Sequence, residues 1–368
     1  MSSQGPVGVG LIGAGNISSA YLRNLTRFPD VTVHVVGDLV PDVAANRAEE
    51  FGVPRSGTPA DVLANGDVEI VVNLTIPAAH AEISTLAAHS GKHVWSEKPL
   101  ALDRDSGRAV VAAAAEAGVR LGCAPDTVLG AGIQTALRVI AAGDIGRPLA
   151  GLTLLQGPGP ESWHPNPAFL FQPGAGPLFD MGPYYLTTLV QALGPAVRVA
   201  AVGSKATPTR IIGSGPLAGQ VFDVEVPTHL AMLAQFVAGG TSQSIFSFES
   251  PLNRGGFVEI TGTEATLSLP DPNMFDGELR IRRPGSEDWE PIELAGITAG
   301  RGLGVLDMAR SIRADVPHRI TGELANHVLD LMVSASESAT DARFVELSSS
   351  VAPFEPLPTG WDPFERTV

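Results

Sequence analysis

Val7-Gly8-Val9-Gly10-Leu11-Ile12-Gly13-Ala14-Gly15-Asn16-Ile17-Ser18 is the stretch that decides the fold. A short apolar run closed by two glycines and followed by the amphipathic segment Ile17–Phe28 reads as a buried strand turning directly into a helix. The next apolar run, Val31–Gly37, completes a β-α-β unit. Glycines at 13 and 15 permit the tight turn and close backbone approach that a dinucleotide pyrophosphate makes over a helix N-terminus. Ser18 is small enough to keep helix and strand close. Asp38 follows Gly15 by 23 residues, at the end of the second strand, where a carboxylate accepts hydrogen bonds from adenosine ribose hydroxyls. The reading is a dinucleotide site with Gly13, Gly15, Asn16, Ile17 and Asp38 as cofactor-binding residues; a bare structural turn is the alternative. Asp38 repels a 2′-phosphate and no Lys or Arg occurs in Leu39-Val40-Pro41, so NAD is expected over NADP.

Outward from this unit the alternation continues: strand-like Glu69–Leu74, helical Ala78–Ser90, strand-like His93–Trp95, helical Arg104–Ala117 and strand-like Val119–Cys123. Alternating strands and helices imply a doubly wound parallel sheet. From about Asp126 the pattern changes to one helix, Ala131–Ala142, and then to Gln156–Pro177, whose six prolines and four glycines exclude a regular element. Trp163, His164, Phe169 and Phe171 lie within it, which favours an ordered loop over a plain linker. Strand-like runs near Val197–Val202, Thr228–Phe236, Ser242–Glu249, Gly256–Thr261, Ala265–Leu269 and Glu278–Arg282 predict a mainly antiparallel sheet, followed by helices near Val305–Ala314 and Glu323–Ala339. The expectation is an α/β protein with a Rossmann domain over 1–125 and a substrate-binding and oligomerisation domain over 126–368.

A length of 368 residues suits two domains. A net charge of −15 repels polyanions, so no nucleic-acid partner is expected, although backbone N–H groups at a helix start still attract a pyrophosphate. One cysteine, Cys123, excludes an intrachain disulfide and Cys-based zinc sites, and no metal is expected. The N-terminus lacks a basic region before its apolar stretch, and no apolar run reaches membrane-spanning length, so a cytoplasmic protein without a membrane partner is expected.

Two further motifs carry chemistry. Glu97-Lys98-Pro99 follows the strand His93–Trp95 at its carboxyl end, the end that faces the ligand crevice of such a sheet. There a lysine can bring its charge to a substrate oxygen or a catalytic hydroxyl; a solvated Glu-Lys pair is the alternative. Asp180-Met181-Gly182-Pro183-Tyr184 opens a helical run, and residues four apart share a helix face. Alcohol oxidation needs a hydride acceptor and a group that takes the hydroxyl proton. A tyrosine, titrating near about 10, does this only beside a cation such as Lys98. Without that partner Tyr184 would be a core aromatic.

Together these elements resemble the Gfo/Idh/MocA oxidoreductase family over nearly the whole chain, through Gly13–Ser18, Thr75-Ile76-Pro77 with His80, Glu97-Lys98-Pro99 and Gly174–Tyr184. The resemblance implies a Rossmann domain followed by an α/β domain with an open, largely antiparallel sheet, an activity on sugars or cyclitols, and a homodimer or homotetramer. It implies that Lys98 is catalytic, that Asp180 binds or orients substrate and that Tyr184 holds the acid/base position, where many members carry His instead. It places Thr75 and His80 beside the nicotinamide half of the cofactor, with Glu97 and Lys98 also on the cofactor side; a structural His on a helix face is the alternative for His80. Trp163 and His164 offer an aromatic face and an imidazole to a sugar ring, and Asp126 is a further candidate for substrate binding.

The expected function is hydride transfer between NAD(P) and a secondary alcohol of a sugar, cyclitol or glycoside. One rival is an NAD-dependent glycoside-cleaving enzyme that oxidises C3 transiently and eliminates the aglycone. Another is a non-enzymatic regulator that senses dinucleotide or sugar.

Overall fold

A computed structural model describes residues 5–368. They fall into two compact units, one of the described residues up to Gly130 with Gly296–Asn326 and Phe354–Val368, the other of Ala131–Ala295 and His327–Pro353. The single division after residue 125 expected from the sequence therefore differs from the observed grouping, because two later segments pack back onto the N-terminal sheet.

In the first unit, strands β1 (Val7–Ile12), β2 (Val31–Gly37), β3 (Ser56–Gly57), β4 (Ile70–Asn73), β5 (His93–Ser96) and β6 (Leu121–Cys123) form one parallel sheet in the order β3-β2-β1-β4-β5-β6. Helices α1 (Asn16–Leu25), α2 (Pro41–Phe51), α3 (Pro59–Ala64), α4 (His80–His89) and α5 (Arg104–Glu116) occupy the crossovers. β1, β4 and β5 are almost wholly buried, which explains why they read as continuous apolar runs instead of alternating ones. Ile12, Val71, Val94, Val110 and Leu121 belong to one core cluster beneath the helices.

The second unit contains α6 (Ala131–Ala141), α7 (Gly176–Leu193) and a nine-stranded sheet. Its strands are β7 (Pro148–Gln156), β8 (Ala196–Ser204), β11 (His229–Phe236), β12 (Thr241–Ser247), β13 (Arg254–Gly262), β14 (Thr266–Leu269), β15 (Leu279–Arg282), β16 (Glu290–Ile292) and β17 (Val345–Glu346); β9 (Thr209–Ile211) and β10 (Val221–Asp223) pair separately. The order is β16-β15-β14-β13-β7-β12-β11-β8-β17, antiparallel throughout except for the β7/β12 pair. α7 packs on β7 and β12, and a Cβ at Gly151 of β7 would come within 2.5 Å of Leu189. The opposite face carries cross-strand neighbours Val202, Ala231, Ile245, Leu154 and Phe257 in one rank and Ala200, Leu233, Gln243, Leu152 and Glu259 in the next.

α8 (Leu303–Ala314) returns to the first unit, and α9 (Gly322–Asp341) follows it. α8 can lie against the buried Trp95 of β5 because position 304 is glycine, where a Cβ would lie 1.9 Å from the indole. Its Arg310 donates to buried Asp30 at 2.7 Å and to the carbonyls of Asp362 and Glu365, with the Trp361 ring 4.6 Å from the guanidinium. Asp30 also accepts from the Thr367 amide and hydroxyl and the Val368 amide, so the 354–368 segment is strapped across the turn between α1 and β2. Among the described residues no helix is long and apolar enough to cross a membrane.

Burial opposes ionisation of Asp30, but the Thr367 amide, the Arg310 guanidinium and the remaining donors hold its carboxyl below the ordinary value. Asp30→Ala is expected to lower the unfolding free energy by about 3 kcal/mol in urea denaturation, since it strands a buried guanidinium. A depressed carboxyl stabilises above its unfolded pKa of about 3.9, and the contribution is lost as pH falls through the lower folded value. The stability gap between wild type and Asp30→Asn should therefore be full at neutral pH and close on acidification. A gap independent of pH would show that the charge of Asp30 does not matter.

Candidate active site

The chemistry-bearing residues of the first unit stand at the carboxyl ends of β1, β2, β4 and β5. Gly13 has φ 102°, open to glycine without strain, and a Cβ there would lie 2.6 Å from the Leu74 carbonyl group. Gly15 is exposed, with open space where its Cβ would be. It caps α1 without any side-chain hydrogen bond, and the first turn, with Asn16 exposed and Ile17 half-buried, carries no acidic residue. The leading N–H groups of α1 are thus left to an anion. Asp38 is held in place by two amides, Ala14 N–H on Oδ2 at 2.8 Å and Val40 N–H on Oδ1 at 2.9 Å. Each oxygen keeps a lone pair for a ribose hydroxyl. These features fit a dinucleotide.

Arg47 lies outside the Leu39-Val40-Pro41 stretch that follows Asp38, on a helix that the sequence pattern does not mark. α2 brings its guanidinium to Ser19, to Glu50 at 2.7 Å and to the carbonyls of Ala14 and Gly15 at 3.5 and 3.4 Å. A cation therefore lies against the glycine turn, supplied by the next helix.

At the end of β4, buried Asn73 organises the Thr75 loop: its Oδ1 accepts the Thr75 hydroxyl at 2.7 Å, and its Nδ2 donates to the His80 carbonyl and Ser84 hydroxyl, both at 3.0 Å. His80 is 1% exposed, with Nδ1 2.7 Å from the Pro99 carbonyl and Nε2 3.0 Å from the Thr75 carbonyl. Burial pushes its pKa down, against the pull of those two carbonyls. Each ring nitrogen lies against a backbone carbonyl and the neutral ring donates to one of them, so His80 braces the Thr75 loop against the Lys98-Pro99 segment.

Glu97 is equally committed. Its Oε1 accepts the hydroxyl of fully buried Tyr21 at 2.8 Å and its Oε2 accepts the Lys98 amide at 3.0 Å. Lys98 itself is half-buried. Asp126 departs from the substrate-binding expectation. It is fully buried, and its Oδ2 accepts the amides of Gly302 at 2.7 Å and Gly304 at 3.4 Å, while Arg301 lies 3.5 Å from Oδ1. Desolvation raises its pKa, and Arg301 and the Gly302 amide oppose the rise. The carboxylate caps the start of α8, which is a structural duty.

In the second unit, Asp180 and Tyr184 both lie on α7, one turn apart, Asp180 half-buried and Tyr184 buried. Gly182 between them lets Met332 approach, since a Cβ would meet its sulfur at 3.1 Å. The neighbouring Tyr185 is an interior residue: its hydroxyl accepts the Gly256 amide at 2.8 Å, and burial raises its pKa. The 157–172 loop is folded into short turns around Arg210, which binds Glu161, the Pro158 and Phe248 carbonyls and Glu249, and lies over the Phe171 ring. On this base Trp163 is 68% exposed, and the His164 ring stands edge-on to both Trp163 and Phe169, at 5.5 Å from each.

A parallel sheet with an uncapped glycine turn, a carboxylate at the end of β2 and a lysine at the end of β5 is the arrangement of a dinucleotide-dependent oxidoreductase. Residues 7–124 match the model of the oxidoreductase family with an NAD-binding Rossmann fold, and residues 133–268 match the GFO/IDH/MocA C-terminal domain, so the chain belongs to the Gfo/Idh/MocA family. A 1,5-anhydro-D-fructose reductase of Ensifer adhaerens is 29% identical over 300 residues, 78% of this chain and 84% of that protein. A scyllo-inositol 2-dehydrogenase (NAD(+)) of Bacillus subtilis is 26% identical, over 70% of this chain and 72% of that protein. The fold is also that of a levoglucosan dehydrogenase in complex with NADH and L-sorbose, with a TM-score of 0.82 over 94% of this chain and all of the other, at 22% identity.

Asp126→Ala is expected to cost about 3 kcal/mol of stability, because the buried Gly302 amide loses its acceptor and Arg301 loses a neighbouring carboxylate. The Michaelis constant for substrate should stay within about twofold of wild type. A large rise in that constant at unchanged stability would return Asp126 to the substrate.

Proposed function

We propose that the protein is an NAD-dependent dehydrogenase acting on a secondary alcohol of a sugar, cyclitol or glycoside, with Lys98, Asp180 and Tyr184 as its catalytic and substrate-binding residues. The observation that carries the reading is its likeness to an anhydrofructose reductase, a scyllo-inositol dehydrogenase and a levoglucosan dehydrogenase, all named for cyclic polyols or their ketones. Bound NAD supplies the hydride acceptor. Gly13, Gly15, Asn16 and Ile17 hold its pyrophosphate side, Asp38 its adenosine ribose, and the Thr75 loop and Lys98 border its nicotinamide side. NAD is preferred over NADP because Asp38 already presents a negative charge.

Tyr184 takes the proton from the reacting hydroxyl. Lys98 stabilises the developing alkoxide, and Asp180 orients a neighbouring hydroxyl by accepting its hydrogen bond. Trp163 and His164 offer a ring face to the sugar, with Phe169 as a third wall.

Tyr184→Phe is expected to lower turnover by roughly 10²–10⁴ while NAD still binds. Oxidation by the wild type should rise with pH as the base loses its proton, and the variant should lack that limb. Normal turnover in Tyr184→Phe would move the base elsewhere, with His164 the first candidate. Net NADH formation must accompany the reaction; sugar release without it would instead mark a glycoside-cleaving enzyme.

The reading includes a cytoplasmic homodimer or homotetramer. The sheet face opposite α7 supports the association, with Val202 and Leu233 exposed beside the partly buried Ile245, Leu154 and Phe257. Leu233→Glu should dissociate the oligomer in light scattering, and a wild-type monomer at micromolar concentration would refute it.

A further inference from the structure

Behind Lys98 lies a buried polar chain that the reaction just described does not use. Tyr21 of α1 is 0% exposed; its hydroxyl accepts the Trp95 indole N–H at 3.3 Å and donates to Glu97 Oε1 at 2.8 Å. The other carboxylate oxygen of Glu97 accepts the Lys98 amide. The main chain of Glu97 is fixed as well: its N–H donates to the Asn73 carbonyl at 2.8 Å, and its carbonyl accepts Ser96 Oγ at 3.1 Å and Cys123 Sγ at 3.4 Å. Of all these partners only Tyr21 belongs to α1, the helix whose first turn is left open for an anion. Burial, followed by the Glu97 and Asp126 carboxylates, raises the Tyr21 pKa, so its oxygen keeps the proton that it donates. A carboxylate 8% exposed depends on that donor, and without it the side chain turns toward other partners.

We propose that Tyr21 is the positioning residue for Lys98: its hydroxyl fixes the Glu97 carboxylate, the carboxylate fixes the Lys98 amide, and the reach of the lysine is thereby set from α1. The inference rests on the reading that Lys98 serves the reaction, but its structural half stands independently. Tyr21 touches neither substrate nor cofactor in this role.

The chain contains three lysines, which makes the test direct. Lys92 donates to the carbonyls of Asn65 and Val68, and Lys205 to that of Val224, so both report on places away from Glu97. Reductive ¹³C-methylation of the full-length protein gives a dimethyl-lysine NMR signal for each, and Lys98→Arg assigns the one of interest. Tyr21→Phe removes a single oxygen. It is expected to shift the Lys98 signal and its titration midpoint, to leave Lys92 and Lys205 in place, and to leave the NAD dissociation constant within about twofold. Turnover of a polyol should fall about tenfold, as for loss of one hydrogen bond to a charged group.

Should Tyr21→Phe fail to fold, the comparison moves to the Glu97→Gln background, where no buried charge is left without a donor; there too the loss of the Tyr21 hydroxyl should displace the Lys98 signal. An unchanged Lys98 signal in the folded variant, with only a lower melting temperature, would overturn the proposal and leave Tyr21 as packing. A displaced Lys98 signal in a protein whose wild type oxidises no polyol would instead refute the dehydrogenase reading while leaving the positioning intact.

Discussion

The nucleotide-binding unit depends on how closely two backbones pass at Gly13. The β1–α1 turn runs within contact of the Leu74 carbonyl, at a distance that excludes even a methyl group. That closeness sets the strand-end loops around one another: the Ala14 amide reaches Asp38 from β2, and the Thr75 loop lies next to the turn. Backbone hydrogen bonds from the Leu74 amide to the Ile12 carbonyl and from the Gly13 amide to the Gly37 carbonyl, both 2.8 Å, hold the strand ends together, and the absence of a side chain at Gly13 lets the turn come this close.

Beneath the loops is a layer of buried polar side chains, Asn73, His80, Glu97 and Tyr21, each hydrogen-bonded to protein partners. In a low-dielectric interior such groups are costly unless every member is satisfied, and a satisfied set admits few alternative arrangements. The strand ends are consequently rigid where the chemistry needs fixed positions. The same reasoning explains how His80 and Glu97, expected on the cofactor side, brace the Thr75 loop and the Lys98 segment.

Much of the first unit was legible because its strands are buried on both faces and its turns are marked by glycine. β1, β4 and β5 stand within a residue or two of their expected bounds. α2 left no comparable trace: of its residues only Ala44 and Ala48 are buried, so it has almost no apolar stripe, and Arg47 was lost with it. β7 was also missed, although it lies in the middle of the second sheet, because Pro148 and Gly151 disguise it and its partly covered faces give no alternation. Periodicity also carries no information on which unit an amphipathic helix will join, so the return of α8 could not be foreseen. Asp126 shows the remaining gap: a carboxylate just past a Rossmann strand looks the same in sequence whether it meets a ligand or caps a distant helix.

The strap on Asp30 has a consequence for biogenesis. The nucleotide unit begins the chain, yet its own interior includes residues 296–326 and 354–368. At the roughly 5–20 residues per second of ribosomal synthesis, its first 130 residues wait through the making of the whole second unit before α8 and the strap arrive. The second unit thus has all of its residues once Pro353 is made, whereas the first is complete only with the segment that straps Asp30.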